Sequence, residues 1–197
     1  ASEYPFEDDL AGSKAMAVVA RTYALRAAEK FDGAYDHVDH TLSQVYRGHH
    51  AITGTARRAA DATRGQVLTH DGTLIEAVYF SSSGGHTANH EDVWEADRVL
   101  PYLRGRPDPH DRPSPHHEWT TRIPRTPMLQ ALTRDQGFQV EGFLIDDRSE
   151  EGRVRHVKLL RPDGSTHQMQ ANAFRLIVSR GVPDVILKST WFDARRE

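Results

Sequence analysis

Apolar and polar positions divide this chain into a helical first part and a strand-rich last part. The run Lys14-Ala15-Met16-Ala17-Val18-Val19-Ala20-Arg21-Thr22-Tyr23-Ala24-Leu25 places small or apolar residues on nearly every helical face. It predicts a largely buried helix from about Leu10 to Phe31. Glu7, Asp8 and Asp9 set carboxylates at its start, where the helix dipole favours them. Arg21 is a charge inside an apolar pattern, so it either snorkels to the surface or, as buried charges need partners, pairs with a buried acid or faces a site. Asp32-Gly33 stops the helix. An Ala-rich stretch from Thr53 to Arg64, ended by Gly65, predicts a second helix. Two β-prone runs then flank Asp71-Gly72, a strong hairpin signal: Gln66 to His70, and Thr73 to Phe80. The second of these runs straight into Ser81-Ser82-Ser83-Gly84-Gly85-His86-Thr87.

Residues 95–118 are rich in Pro, His, Asp and Arg, show no periodicity and read as a surface loop. Thr126 as N-cap with Pro127 at the first helical position predicts a short helix to about Gln136. Strands follow near 139–147, 153–161 and 165–170, with a turn at Asp163-Gly164. A helix around Asn172–Ser179 and a closing strand over Asp184–Thr190 complete the pattern. Helices mixed with antiparallel hairpins, without βαβ alternation, predict an α+β fold. The 197 residues fit one domain spanning 1–197, with 120–197 as its C-terminal α+β part.

Composition narrows the partners. The formal net charge is -3 and the basic residues are scattered, which argues against nucleic acid or an anionic membrane as a partner. The absence of cysteine excludes a disulfide framework, a thiolate metal site and a cysteine nucleophile. No apolar run approaches membrane-spanning length, and the opening Ala1-Ser2-Glu3 reads as an excised fragment.

Four groups of residues are candidates for chemistry. The Ser81–Thr87 run supplies hydroxyls and bare backbone, which suits a hydroxyl-rich ligand such as a sugar and equally suits a plain turn. Glu3, beside Tyr4, Pro5 and Phe6, is a carboxylate that apolar neighbours can desolvate, as a general acid requires; a surface glutamate is the alternative. Among the 12 histidines, His37 with His40 and His86 with His90 have helix-face spacing, but neither pair sits in a His-Glu-x-x-His frame. Trp94, Tyr102 and Trp119 offer faces for sugar stacking, or a satellite core under the loop. The serines do not form Gly-x-Ser-x-Gly, and no phosphate-binding glycine loop is present.

Taken in order, these segments resemble one family. Glu3-Tyr4-Pro5 leading to Lys14-Ala15-Met16-Ala17-Val18-Val19-Ala20-Arg21-Thr22-Tyr23 is similar to its helix motif, and Ser43-Gln44-Val45-Tyr46-x-Gly48 to its second motif. Tyr79-x-Ser81-Ser82-Ser83-Gly84-Gly85-x-Thr87, Glu91-Asp92-Val93-Trp94 and Pro101-Tyr102-Leu103 resemble its central block. Gly152-Arg153-Val154, Phe174-Arg175 and Leu187-Lys188-Ser189-Thr190-x-Phe192 resemble its last part. The family is SpoIID/LytB, named for stage II sporulation protein D and an amidase enhancer. Its members usually carry further N-terminal sequence, which makes this chain read as one SpoIID-like domain without that portion.

The resemblance implies a lytic transglycosylase of peptidoglycan. Such an enzyme cleaves the bond between N-acetylmuramic acid and N-acetylglucosamine in strands stripped of stem peptides, leaving 1,6-anhydro ends. It implies Glu3 as general acid and base, because the family's catalytic glutamate precedes the helix lysine by the interval that separates Glu3 from Lys14. It further implies a glycan-binding groove formed by Arg21, Gln44, Tyr46, Ser82, Ser83, Gly84, Gly85, His86, Thr87, Trp94 and Tyr102. Arg21 can serve there as a ligand for the sugar or as a brace under the site. The implied partners are glycan strands and a cell-wall amidase, with no membrane contact, and the implied location is the cell envelope outside the cytoplasm. Some members bind zinc through cysteine and histidine. Here only His37, His40 and His49 stand near that place, so no cofactor is expected to be required. The alternative function is a non-catalytic glycan-binding module that stimulates an amidase. A histidine-bound metal hydrolase is a third.

Overall fold

Asp9 begins the first helix. Its Oδ1 accepts from the Gly12 amide at 2.8 Å and its carbonyl from the Ser13 amide at 3.0 Å, so it satisfies donors that the first turn leaves open. The Tyr4 hydroxyl donates to Asp9 Oδ2 at 2.6 Å, and a Cβ at Gly12 would collide with both side chains. The computed structural model of the chain describes residues 2–4, 8–26, 33–40, 43–94 and 98–195. Helix α1 covers Leu10–Arg26; the rest of its predicted span and the stop at Asp32 lie outside the described residues. The chain forms two compact units, Ala1–Phe80 and Ser81–Glu197.

In the first unit α1 packs on α2, Gly54–Ala62, within the span the sequence predicts, and Thr53 caps its start, Oγ1 accepting from the Ala56 amide at 3.1 Å. The expected burial of α1 is only partly met, since Ser13 and Thr22 are its buried residues and most others are half-exposed. Thr22 is fully buried because it works as a polar joint. Its hydroxyl donates to the Val18 carbonyl at 2.7 Å and accepts from the Leu68 amide at 2.9 Å.

That joint explains a second correction. The hairpin forms only at its tip, with β1 at Thr69–His70 and β2 at Thr73–Leu74 around Asp71 (φ 50°) and Gly72 (φ 75°), a left-handed pair that glycine makes cheap. One further bond joins Ile75 N to Leu68 O, and residues 76–80 are not in a strand. The would-be partner has spent its backbone on the helices, Leu68 on Thr22 and Gln66 N on Thr63 O.

The second unit centres on an antiparallel sheet of β3 (Gly142–Arg148), β4 (Val154–Leu160) and β5 (Thr166–Gln170), in that order. Register shifts between β3 and β4 around Asp147 change the alternation of β4, so Val154, Val157 and Leu159 are all fully buried. Helices α4 (Arg125–Gln136) and α5 (Ala171–Gly181) pack together, and α5 lies on β4 and β5. Helix α4 begins one residue before the predicted Thr126 cap, with Met128 N bonded to Pro124 O and no side-chain cap.

A four-residue helix, α3 (His90–Val93), had no sequence signal of its own. Within the predicted loop a 3-10 turn forms at Pro109–Asp111, and His86 bridges to Pro107. The predicted closing strand over Asp184–Thr190 does not form. Leu187 N bonds to Ser179 Oγ and its carbonyl accepts from Arg175, while Val185 and Leu187 are buried against the sheet-and-helix core. The fold is α+β, with five α-helices and two small antiparallel sheets among the described residues.

Phe174 is the largest fully buried side chain, with Phe143 at 4.6 Å and Phe192 at 6.3 Å between ring centroids. Phe174→Ala is expected to cost about 3–5 kcal/mol. Denaturant unfolding followed by the tryptophans of the second unit measures it.

Candidate functional site

In the first unit, Glu3 lines a groove of about 660 Å³. The Val45 amide donates to Glu3 Oε1 at 2.5 Å, which ties the carboxylate to the Ser43–Tyr46 segment. The Tyr79 hydroxyl also hydrogen-bonds to Glu3 and to the Gln44 side chain. Burial, then the negative charge of Glu3, pushes the Tyr79 phenol up to about 12, so it remains a neutral donor throughout the physiological range. Gln44 is itself anchored, donating to the Ala20 carbonyl of α1 at 3.4 Å. Glu3, Gln44, Tyr46, Arg21 and His37 all line this groove, and Tyr46 is 64% exposed, with its ring free for contact. Asp39 and Asp61 are further carboxylates in the lining.

Of the alternatives for Arg21, pairing with a buried acid is not met: it meets the carbonyls that end α2. Its Nη1 donates to Thr63 O at 2.9 Å and Gln66 O at 2.8 Å, and its Nη2 reaches Ala60 O at 3.4 Å. A cation at the negative end of a helix dipole needs no carboxylate to be stable. Arg21 therefore braces one wall of the groove while still lining it.

In the second unit the Ser/Gly run wraps a carboxylate. Asp111 Oδ1 accepts from the Ser82 hydroxyl and the Ser83 amide, both at 2.8 Å; its Oδ2 accepts from the Gly84 amide at 2.9 Å and His117 Nδ1 at 2.8 Å. Gly84 (φ 72°) and Gly85 (φ 101°) supply the left-handed backbone that turns successive amides inward. The Ser83 hydroxyl donates to Asp108 Oδ2 at 2.9 Å. On the other side Arg153 donates to the carbonyls of Ser83 and His86, and its guanidinium lies 5.0 Å from the Trp191 ring centre. The hydroxyl protons of Ser82 and Ser83 are thus engaged within the protein.

His86 bonds through Nδ1 to Thr87 O at 2.7 Å, and Thr87 Oγ1 accepts from the Arg106 amide at 3.0 Å. Trp94 is 41% exposed beside His90, and Tyr102 is half-buried. Sequence reasoning missed three residues. Tyr79 stood inside a quoted motif but read as a strand position, and Asp111 and His117 lay in a stretch that only looked irregular.

The chain has no cysteine, and among the described residues no three His, Asp or Glu groups converge to hold a metal. His37 Nε2 already bonds to the Ala24 carbonyl at 2.9 Å. Among the described residues no helix is long and apolar enough to cross a membrane.

A family model described as SpoIID, stage II sporulation protein, matches residues 1–70, the stretch that holds Glu3, Arg21, Gln44 and Tyr46. Stage II sporulation protein D of Bacillus subtilis (strain 168) is 31% identical over 172 residues, covering 78% of this chain and 46% of that protein. The chain belongs to the SpoIID family. A stage II sporulation protein D of Bacillus amyloliquefaciens is 31% identical over 191 residues, covering 81% of the chain and 54% of that protein. The amidase enhancer of Bacillus subtilis (strain 168) is 34% identical over 122 residues, covering 62% of the chain and 16% of that protein. The chain thus spans about half the length of the two sporulation proteins and a small part of the enhancer. Tyr79 and the Ser/Gly run lie beyond the SpoIID match, so the family model alone does not point to them.

Asp111 supplies a test in this SpoIID chain. Burial alone would raise its pKa, but the bonds from His117, Ser82 and the Ser83 and Gly84 amides prevail and hold it at about 2. A folded-state value below the unfolded one stabilises the protein above about pH 4, and that contribution is lost as the pH falls through about 2. Asp111→Asn is expected to cost about 1–3 kcal/mol at neutral pH. Urea unfolding across a pH series should show the gap to wild type closing as pH falls through that window.

Proposed function

We propose that the chain is a peptidoglycan lytic transglycosylase in which Glu3 is both general acid and general base. The observation that carries this reading is the Glu3 carboxylate in the first-unit groove, tied on one oxygen by the Val45 amide and bonded to the Tyr79 hydroxyl. Protonated Glu3 donates its proton to the oxygen of the bond between N-acetylmuramic acid and N-acetylglucosamine, and that bond breaks. The resulting carboxylate then takes the proton of the muramoyl C6 hydroxyl as that oxygen bonds to C1, giving the 1,6-anhydro ring. The proton lost in the first half is regained in the second, so no water is consumed and no second carboxylate is needed, unlike ordinary glycosidases. Tyr79 and the Val45 amide hold the carboxylate in one orientation, which matters because small misplacements of a reacting group cost large factors in rate. Arg21, Gln44 and Tyr46 contact the sugars from the groove walls. Within the second unit, the Ser82, Ser83, Gly84, Gly85, His86 and Thr87 run, with Trp94 and Tyr102, binds glycan. The substrate is peptide-free glycan, the role is in the cell wall, and the protein acts outside the cytoplasm.

A second reading is favoured by the similarity to the amidase enhancer, 34% identical over 122 residues. In it the chain binds glycan and raises the turnover of a cell-wall amidase without cleaving the strand.

Incubation with peptide-free glycan strands and mass spectrometry separates the two. The enzyme reading predicts anhydro-muramoyl ends, lost by a factor of about 10²–10⁴ in Glu3→Gln. It predicts a loss of about tenfold to a hundredfold in Tyr79→Phe, which keeps the ring and removes the donor. Strand binding and amidase stimulation with no anhydro product sinks it in favour of the second reading, and full cleavage by Glu3→Gln removes Glu3 as the acid and base.

A further inference from the structure

The second unit has a cavity of its own, about 890 Å³, that reaches the Ser/Gly run at Ser82 and Gly84. His116, His117, Trp119, Arg175, Lys188 and Trp191 line it. Its cations are the informative part. Arg175 is half-buried and bonds only to neutral acceptors, Asn172 Oδ1 at 3.1 Å and Leu187 O at 3.2 Å. The Lys188 ammonium is 2.9 Å from His116 Nδ1, so it donates to an imidazole rather than to a carboxylate. Among the described residues neither cation has an acid partner, and the one carboxylate in the lining, Glu118, is exposed. A guanidinium kept out of water without an anion is costly, and it is placed to gain from an incoming one.

The rest of the lining fits a ring rather than an isolated ion. His117 is held through Nδ1 by Asp111, which fixes its orientation and leaves Nε2 without a partner among the described residues. Trp119 donates from Nε1 to Ser189 Oγ at 3.2 Å, which sets its ring plane, and Trp191 is braced between Arg153 and Gly84. Indole faces with nearby polar groups suit a pyranose, whose C–H face is apolar and whose rim carries hydroxyls.

We propose that this cavity binds a carboxylate carried on a sugar, with Arg175 and Lys188 taking the carboxylate, and that in peptidoglycan this group is the free 3-O-lactyl carboxylate of a peptide-free muramoyl residue. The inference rests on the glycan reading above and deepens it. A stem peptide converts that lactyl carboxylate into a neutral amide, so this pocket reads whether a strand is stripped. The terminal carboxylate of a stem peptide shares the chemistry, and the test separates the two sources.

The test is calorimetric titration of the whole chain carrying Glu3→Gln, which prevents turnover. The three ligands are a peptide-free muramoyl-containing oligosaccharide, an N-acetylglucosamine oligomer of equal length, and free stem peptide. The muramoyl ligand should bind about tenfold or more tighter than the N-acetylglucosamine oligomer, the size expected for one charge-assisted hydrogen bond. Lys188→Glu, at an exposed position, and Arg175→Gln should each erase that advantage. Arg180→Gln, an exposed cation on the same helix outside the lining, should not. Equal binding of the two sugars, or an advantage that survives Lys188→Glu, overturns the proposal and leaves the glycan reading standing. Tighter, Lys188-dependent binding of the free stem peptide overturns the lactyl assignment. If no sugar binds at all, the glycan reading fails and the proposal fails with it.

Discussion

The hydrogen bond from the Val45 amide to Glu3 Oε1 is the constraint on which the candidate site depends. It joins a residue ahead of the first helix to a segment after it, and so defines which groove the carboxylate occupies. The bond holds only because its acceptor and its donor segment are fixed independently. Tyr4, next to Glu3, is locked to the Asp9 cap of α1, and Gln44, next to Val45, is locked to the Ala20 carbonyl of the same helix. Helix α1 is therefore the common reference for both halves of the site. Arg21 and Thr22 extend that reference to α2 and to the hairpin, through carbonyls and one hydroxyl rather than through ion pairs.

The second unit solves a different problem by related means. Asp111 is a buried carboxylate, and a buried charge is tolerable only when its hydrogen-bonding capacity is filled. Four donors fill it, from Ser82, Ser83, Gly84 and His117. The composition of the Ser/Gly run follows from this task. Serine gives a hydroxyl donor, and glycine gives the backbone conformation that aims consecutive amides at one anion. Glycan recognition and anion wrapping ask for the same residue types, so the sequence pattern alone could not tell them apart.

What the sequence made legible was whatever depends on local chemistry. The Ala-rich α2, the Asp71-Gly72 turn, the three-stranded sheet and α5 all follow from composition, periodicity and turn residues within a few positions. What it missed depends on partners distant in the chain. Residues 76–80 and 184–190 carry β-prone composition, yet the strand opposite the first bonds to Thr22 and Thr63, and Leu187 in the second bonds to Ser179 and Arg175 of α5. Tyr79 looks like any aromatic strand residue until Glu3 and Gln44 are seen beside it. Asp111 and His117 lie in a loop without periodicity, and only the closure of the Ser/Gly run on them gives them a role. Glu3 itself was legible through its interval from Lys14, a family signal with no local physical reading of its own.

The central claim is that one carboxylate carries both proton transfers and that the sugar's own C6 hydroxyl, not water, closes the reaction. Asp39 and Asp61 in the same groove make a hydrolytic route the natural competitor. Cleavage of peptide-free glycan in water enriched with heavy oxygen, with mass analysis of the new ends, decides between them. The account predicts anhydro ends free of the label. Heavy oxygen at the new reducing ends would contradict it.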